Sequence, residues 1–293
     1  MNAFSKELDS WIEALQEVNR LRVWSLVVTV FGDSVLPMGG SISASSLQEL
    51  LQRLGVSHGA MRTALSRLAA DDWVTSTRNG RSSSYTLSQS AKAQALQAED
   101  RIYPAPASLE GLPLWLAVLP LDREGAWPEM TERLVRKGFA SVTSGLLAIQ
   151  SDDKPVPDAD ILFVHSEDTA IPDWLRQRLG PRDINASYRE LRRRIASLAR
   201  HASGSISAMD AIAARTLMVH EWRRIVLRHA RFDAACLPSS WEGKACRDEF
   251  ERLYRSLHAP CVKWLLGREE FAAGSVDRLA SRFGGLGILE QAG

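Results

Sequence analysis

The chain has 293 residues, room for two or three domains, and its 45% hydrophobic and 24% charged content is that of an ordinary folded protein. Thirty-six Lys and Arg against 35 Asp and Glu leave a net charge of +1, so a global polycation is excluded and any affinity for nucleic acid must come from a local patch. The three cysteines, Cys236, Cys246 and Cys261, are odd in number without metal-ligand spacing, no signal-peptide pattern is visible, and the longest apolar runs (23–31 and 112–121) are too short to span a bilayer; a reducing cytoplasm is the expected setting.

Residues 5–31 carry Leu8, Trp11, Ile12, Leu15, Val18, Leu21, Trp24 and Leu26 at helical intervals. This predicts one long helix, or two joined near Asn19-Arg20, with Trp11 available to a second subunit. Residues 27–31 fit either a buried helix end or a strand. Gly32-Asp33, Pro37 and Gly39-Gly40 break the pattern. Ser41-Ile42-Ser43 is β-capable. Ser45 and Ser46 offer capping hydroxyls to a helix with Leu47, Leu50, Leu51 and Leu54 on one face, and Gly55 ends it. Ser57 caps a second helix two residues later, with Met61, Leu65 and Leu68 on one side and His58, Arg62, Thr63, Ser66 and Arg67 largely on the other. Two β-capable runs follow, and Asn79-Gly80 between them is a strong hairpin signal that pairs Arg78 with Arg81 and Val74 with Tyr85.

Helix, tight turn, helix and hairpin predict a winged helix-turn-helix that binds DNA, the second helix entering the major groove. The candidate DNA contacts are Ser57, His58, Arg62, Thr63, Ser66 and Arg67 on that helix, and Arg78, Asn79, Arg81 and Ser82 on the wing. From 57 to 86 four arginines face two aspartates, a modest +2.

Residues 89–101 read as a connecting helix, and Tyr103-Pro104-Ala105-Pro106 as a stiff linker. Beyond it the order is a strand (113–120), a helix (124–138, with Trp127, Met130, Leu134 and Val135 inward), one or two strands around Gly145, a strand (160–165) and a helix (172–179). That order suggests a split-βαβ, ferredoxin-like unit, one strand short. The remainder is almost all helix: Tyr188, Leu191, Ile195 and Leu198 form one stripe, Ile212, Leu217, Val219 and Trp222 another, and 249–257 a third segment. The Gly-rich stretch from 271 onward reads as partly loose. The expected fold class is α+β: a winged-helix domain (1–104), a ferredoxin-like middle domain (105–182) and a helical C-terminal domain for effector binding and dimerisation (183–293).

Between 185 and 231 ten arginines meet three acids, a local +7. A solvated helix face explains this, and so does an anion site, since Arg suits bidentate phosphate recognition. Enzymatic motifs are wanting. Asp122 invites a nuclease alternative, but two-metal chemistry needs several converging acids. His220-Glu221 begins a zinc-protease pattern, yet Arg224 stands where the second His is required. No nucleophile elbow, phosphate loop or dinucleotide fingerprint occurs, so neither enzyme activity nor a resident metal or cofactor is expected.

Three blocks carry a family likeness: LGVSHGAMRTALSRLAADDWVTSTRNGRSSSYTLS (54–88), the Trp115 strand with LVRKGFASVTSGLLAI (134–149), and VHEWRRIVLRHARFDAACLPSSWEGKACRDEFERLY (219–254). In these the chain resembles the PaaX family of bacterial transcriptional repressors. Asp71-Asp72 departs from the small residue or Gly usual there, and 232–238 from the family's Asp-Pro and longer Leu-Pro segment. The resemblance implies the three-part organisation above, a middle domain similar to the small nuclease of CRISPR adaptation, and a homodimer. It also implies repression of a phenylacetate-type catabolic operon, relieved by an aryl-acyl-CoA such as phenylacetyl-CoA. Arg192, Arg193, His220, Trp222, Arg223 and Arg224 are the candidate effector residues: rings to stack the acyl group, guanidinium groups to meet phosphates.

Overall fold

The computed structural model describes residues 2–18, 21–80, 82–104, 109, 111–166, 170–202, 204–271 and 276–284, with backbone only at 79, 82 and 166. Helix α1 (Ala3–Glu17) starts where the Asn2 side chain accepts the Ser5 amide at 2.8 Å. It buries Phe4, Leu8, Trp11, Ile12 and Leu15; Trp11 is 3% exposed, so it belongs to this chain's own core and is not free for a second subunit. Helix α2 (Val23–Val30) runs into a π-helical turn, Phe31–Val35, which resolves residues 27–31 as helical.

Strand β1 (Ser41–Ser43) leads directly into α3 (Ala44–Arg53). The cap is Ser43, whose hydroxyl accepts the Ser46 amide at 3.1 Å, and not Ser45 or Ser46, because Ser43 is the last extended residue. Helix α4 (His58–Ala70) is capped as expected, the Ser57 hydroxyl accepting the Ala60 amide at 3.2 Å. Strands β2 (Val74–Asn79) and β3 (Ser82–Leu87) complete an antiparallel sheet in the order β1-β3-β2.

The hairpin register differs from the expected one. Asn79 pairs with Ser82, Arg78 with Ser83 and Val74 with Leu87, so the turn sits one residue further along. This register sets apolar Val74 against Leu87 and lets the Thr75 and Thr86 hydroxyls meet at 2.8 Å, cross-strand pairs the alternative would forfeit. Helix α5 (Gln89–Ile102) follows, capped by Ser88.

The next strands, β4 (Leu114–Val118), β5 (Ala140–Thr143), β6 (Leu146–Gln150) and β7 (Leu162–Ser166), form an antiparallel sheet in the order β5-β6-β4-β7. Helix α6 (Trp127–Arg136) connects β4 to β5, whereas α7 (Asp173–Leu179) comes after β7. Between β6 and β7 the described chain makes turns and one bridge, Asp158–Ile161, but no helix. Of the residues expected inward on α6, Leu134 is buried, whereas Val135 is 48% exposed.

Helices α8 (Arg182–Ala199), α9 (Ala208–Val226), α10 (Gly243–Ser256), α11 (His258–Leu266) and α12 (Asp277–Ala280) complete the chain. The stripes on α8 and α9 are buried as their spacing requires. The described part of the tail departs from its loose reading: Phe271, Leu279, Ala280, Arg282 and Phe283 are buried. Residues 285–293 lie outside the described residues.

Two compact units emerge. One joins Met1–Pro106, Glu190–Arg224 and Ala245–Gly293; the other joins Ala107–Arg189 and Ile225–Lys244. The helical segment 183–293 is thus divided between them, and most of it shares a core with the N-terminal helices. Among the described residues no helix is long and apolar enough to cross a membrane.

Candidate nucleic-acid interface

The α3–α4 turn is fixed from beneath. Gly55 has φ +75, and a Cβ there would come within 2.3 Å of Gln16 Nε2, whose amide donates to Gly55 O at 3.2 Å. The positive φ is what favours glycine here, since the end of the Gln16 side chain can move aside. Arg53, in the last turn of α3, clips the pair to neighbouring helices: its guanidinium meets Asp9 on α1 and Asp210 on α9, each at 2.7 Å.

Helix α4 buries Met61, Ala64, Leu65 and Leu68. At about 1.5–3 kcal/mol for each large side chain, that face is committed inward. The opposite face is committed outward, and Ser57, His58, Arg62, Thr63, Ser66 and Arg67 are all exposed. They are not equally free. The Ser57 hydroxyl is spent on the cap, and Thr63 donates to Gly59 O at 3.1 Å within its own helix. Arg67 lies 5.7 Å from the Trp24 ring on α2 and 3.7 Å from Asp71. Arg62 makes no ion pair among the described residues. On the hairpin, Arg78 is exposed opposite Ser83. The side chains of Asn79 and Ser82, and the whole of Arg81, lie outside the described residues. Asp72, just past α4, has φ +53, a conformation that favours glycine.

The six residues expected to hold an effector lie on α8 and α9 and make contacts within the chain. Arg192 pairs with Glu249 at 2.8 Å, Arg193 with Glu190 at 2.5 Å and Arg224 with Glu221 at 3.1 Å. His220 and Trp222 are buried: His220 Nδ1 is 3.1 Å from Thr29 Oγ1, while Trp222 donates to Ile102 O at 2.8 Å and stacks on Phe250. Arg223 donates to Ser25 O and Thr29 Oγ1 on α2, and burial, with Arg224 adding to it, lowers its pKa. Acids from other segments, Glu242, Glu249 and Asp33, pair with three arginines of this window and offset part of its +7.

Asp122 is exposed in a 3-10 turn. Among the described residues no three His, Cys, Asp or Glu side chains gather as metal ligands.

A buried ionic cluster that sequence reasoning missed lies in the same unit as α4. Asp33, 2% exposed in the π-helical turn, accepts from Arg215 Nε at 2.8 Å, Arg282 Nη1 at 2.8 Å, Tyr103 OH at 2.5 Å and Tyr254 OH at 3.1 Å. Burial pushes its carboxyl up, but the two guanidinium charges outweigh this and hold it at about 2. Burial pushes Tyr254 up to about 12. The contributors are up to 249 positions apart, so no local spacing could reveal them.

Comparison with known proteins fits this geometry. Family models described as "PaaX-like protein" and "PaaX-like protein C-terminal domain" match residues 22–91 and 181–266. The first spans α2 through the hairpin, and the second spans α8 to α11. The chain is 27% identical to the transcriptional repressor PaaX of Escherichia coli (strain K12), with 98% of each chain covered. A solved structure, the uncharacterised protein Rv0674 from Mycobacterium tuberculosis, aligns over 75% of this chain and 90% of its own at 18% identity and a TM-score of 0.47. Taken with the full-length relative, the two matched segments show that the chain belongs to the PaaX-like protein family.

Proposed function

We propose that this chain is a DNA-binding transcriptional repressor whose α3–α4 pair and β2–β3 hairpin act as a winged helix-turn-helix. The observation that carries the reading is the outward face of α4, where His58, Arg62, Ser66 and Arg67 are all exposed beside a hairpin carrying Arg78. A helix with one apolar side fixed inward and such a polar side outward suits a major groove, and the hairpin suits the flanking backbone. The match to a named transcriptional repressor along nearly the whole of both chains supports the same reading.

The finer proposals are these. The sheet β5-β6-β4-β7, with one crossing helix, is a ferredoxin-like sheet lacking its second. The protein works in the cytoplasm as a homodimer on a palindrome whose half-sites lie about one helical turn apart, or a multiple of it. It represses a phenylacetate-type catabolic operon, and an aryl-acyl-CoA releases it. Release requires the ligand to favour the non-binding conformation, by about 5.5 kcal/mol to invert a 1:99 population. The family resemblance supports operon and ligand.

The test is a titration of the full chain with duplex DNA from the region upstream of its own gene. Sequence-selective binding that phenylacetyl-CoA reverses is expected. Binding that no aryl-acyl-CoA disturbs would remove the effector; no preference over a scrambled duplex would remove the repressor.

A further inference from the structure

One guanidinium in the tail touches both ends of the chain stretch that bears the candidate interface. Arg282 Nη1 donates to Asp33 O at 2.6 Å and to Asp33 Oδ1 at 2.8 Å, and Nη2 donates to Gly32 O at 3.0 Å. The same group reaches Glu99 Oε1 at 3.3 Å. Gly32 and Asp33 belong to the turn by which α2 leads toward β1. Glu99 belongs to α5, by which the chain leaves β3. Entry and exit are therefore held by one side chain that is 4% exposed and lies 4.0 Å over the Tyr103 ring.

The neighbouring contacts tighten this hold. Phe283 sits edge-on to Tyr103, Phe250 and Tyr254, with centroids 5.4–5.8 Å away. Its φ of +58 is a conformation an aromatic residue keeps only where its surroundings over-determine it. Arg278 pairs with Glu99 at 2.9 Å. Helix α2, continuous with the held turn, packs against α4. None of these tail residues falls within the two matched family segments, which end at 91 and 266.

We propose that residues 276–284 form a strap and that Arg282 is a positioning residue for DNA reading, fixing α4 through the Gly32-Asp33 turn and α2. The proposal rests on the DNA-reading assignment above. It can be tested in the full-length chain with Arg282→Gln, Arg282→Lys and Glu99→Gln. Hydrogen exchange is measured at residues 31–35, at α4 and at α9, alongside affinity for an operator duplex.

Arg282→Gln is expected to speed exchange at 31–35 and to weaken operator binding about tenfold or more while α9 stays protected. Arg282→Lys, which keeps a cation over Tyr103 but not the fork that reaches Gly32 O, Asp33 and Glu99 together, should recover only a minor part of that loss. Glu99→Gln, which leaves the Asp33 pair intact, should weaken binding about threefold. Wild-type affinity in Arg282→Gln with α9 protected overturns the proposal. If Arg282→Gln loses α9 protection as well, Glu99→Gln decides: threefold weakening supports the strap and unchanged binding overturns it. A wild-type chain that binds no duplex defeats the DNA-reading assignment instead. The exchange arm, which needs no DNA, then shows whether the strap holds the turn, and unchanged exchange at 31–35 overturns it.

Discussion

Replacing Asp33 with Asn tests the buried cluster by a single atom. The side chain keeps its volume but loses the charge that faces Arg215 and Arg282. Arg282, 4% exposed, would then keep only Glu99 as a carboxylate partner, while Arg215, 0% exposed, would lose its Asp33 ion pair. Breaking a buried pair by removing one partner costs about 3–5 kcal/mol, a large part of the roughly 5–15 kcal/mol that holds a typical domain. The pH dependence gives a second magnitude. The Asp33 carboxyl goes from an ordinary 3.8 to about 2 on folding. At about 1.4 kcal/mol per pH unit this gap contributes about 2–3 kcal/mol. Because the folded pKa is depressed, that stability is present above pH 3.8 and is lost as pH falls from 3.8 toward 2. Urea unfolding followed by tryptophan fluorescence, at neutral pH and at intervals down to pH 2, reads both effects. Asp33→Asn should lower the neutral-pH stability by about 3 kcal/mol or more and flatten the acid limb. A loss under about 1 kcal/mol, or an unchanged acid limb, would refute the reasoning.

Other outcomes follow from single residues. Asp72→Gly should stabilise the chain by about 0.5–1 kcal/mol in thermal unfolding, because φ +53 suits glycine, while Asp72→Ala should destabilise it. Ser57→Ala removes the α4 cap, costing about 1 kcal/mol of stability and fraying the end that carries His58. The cysteines are 0–4% exposed, and burial raises Cys236 and pushes Cys261 up to about 12. A thiol reagent at pH 8 should therefore label them only once urea unfolds the chain.

What was legible in the sequence is what short-range physics fixes. Leu47, Leu50, Leu51 and Leu54, then Gly55 and Ser57, and then Met61, Leu65 and Leu68 spell two helices and their turn through spacing and cap chemistry alone. The outward candidates on α4 followed from that spacing, since the face opposite a buried stripe is solvated. The hairpin was legible as a hairpin but not in its register, because Val74–Leu87 packing and the Thr75–Thr86 pair outweighed the local Asn-Gly preference. Position 43 hid a cap behind two later serines. The arginine window misled because charge was counted along the chain, while Arg192 and Arg215 find their acids 57 and 182 positions away. The tail looked loose for the same reason: Arg282 and Phe283 have no periodic neighbours, and their partners come from the first half of the chain and from α10.

The central claim is that the outward face of α4 reads DNA. Fluorescence anisotropy of the full chain and its Arg62→Ala variant, on an operator duplex and a scrambled one across a salt series, tests it most directly. The account predicts that wild-type affinity for the operator falls steeply with salt and exceeds that for the scrambled duplex. It predicts that Arg62→Ala weakens operator binding by about 1–3 kcal/mol if Arg62 meets a base, with relaxed sequence preference. Equal affinity of wild type and variant for the operator would contradict it.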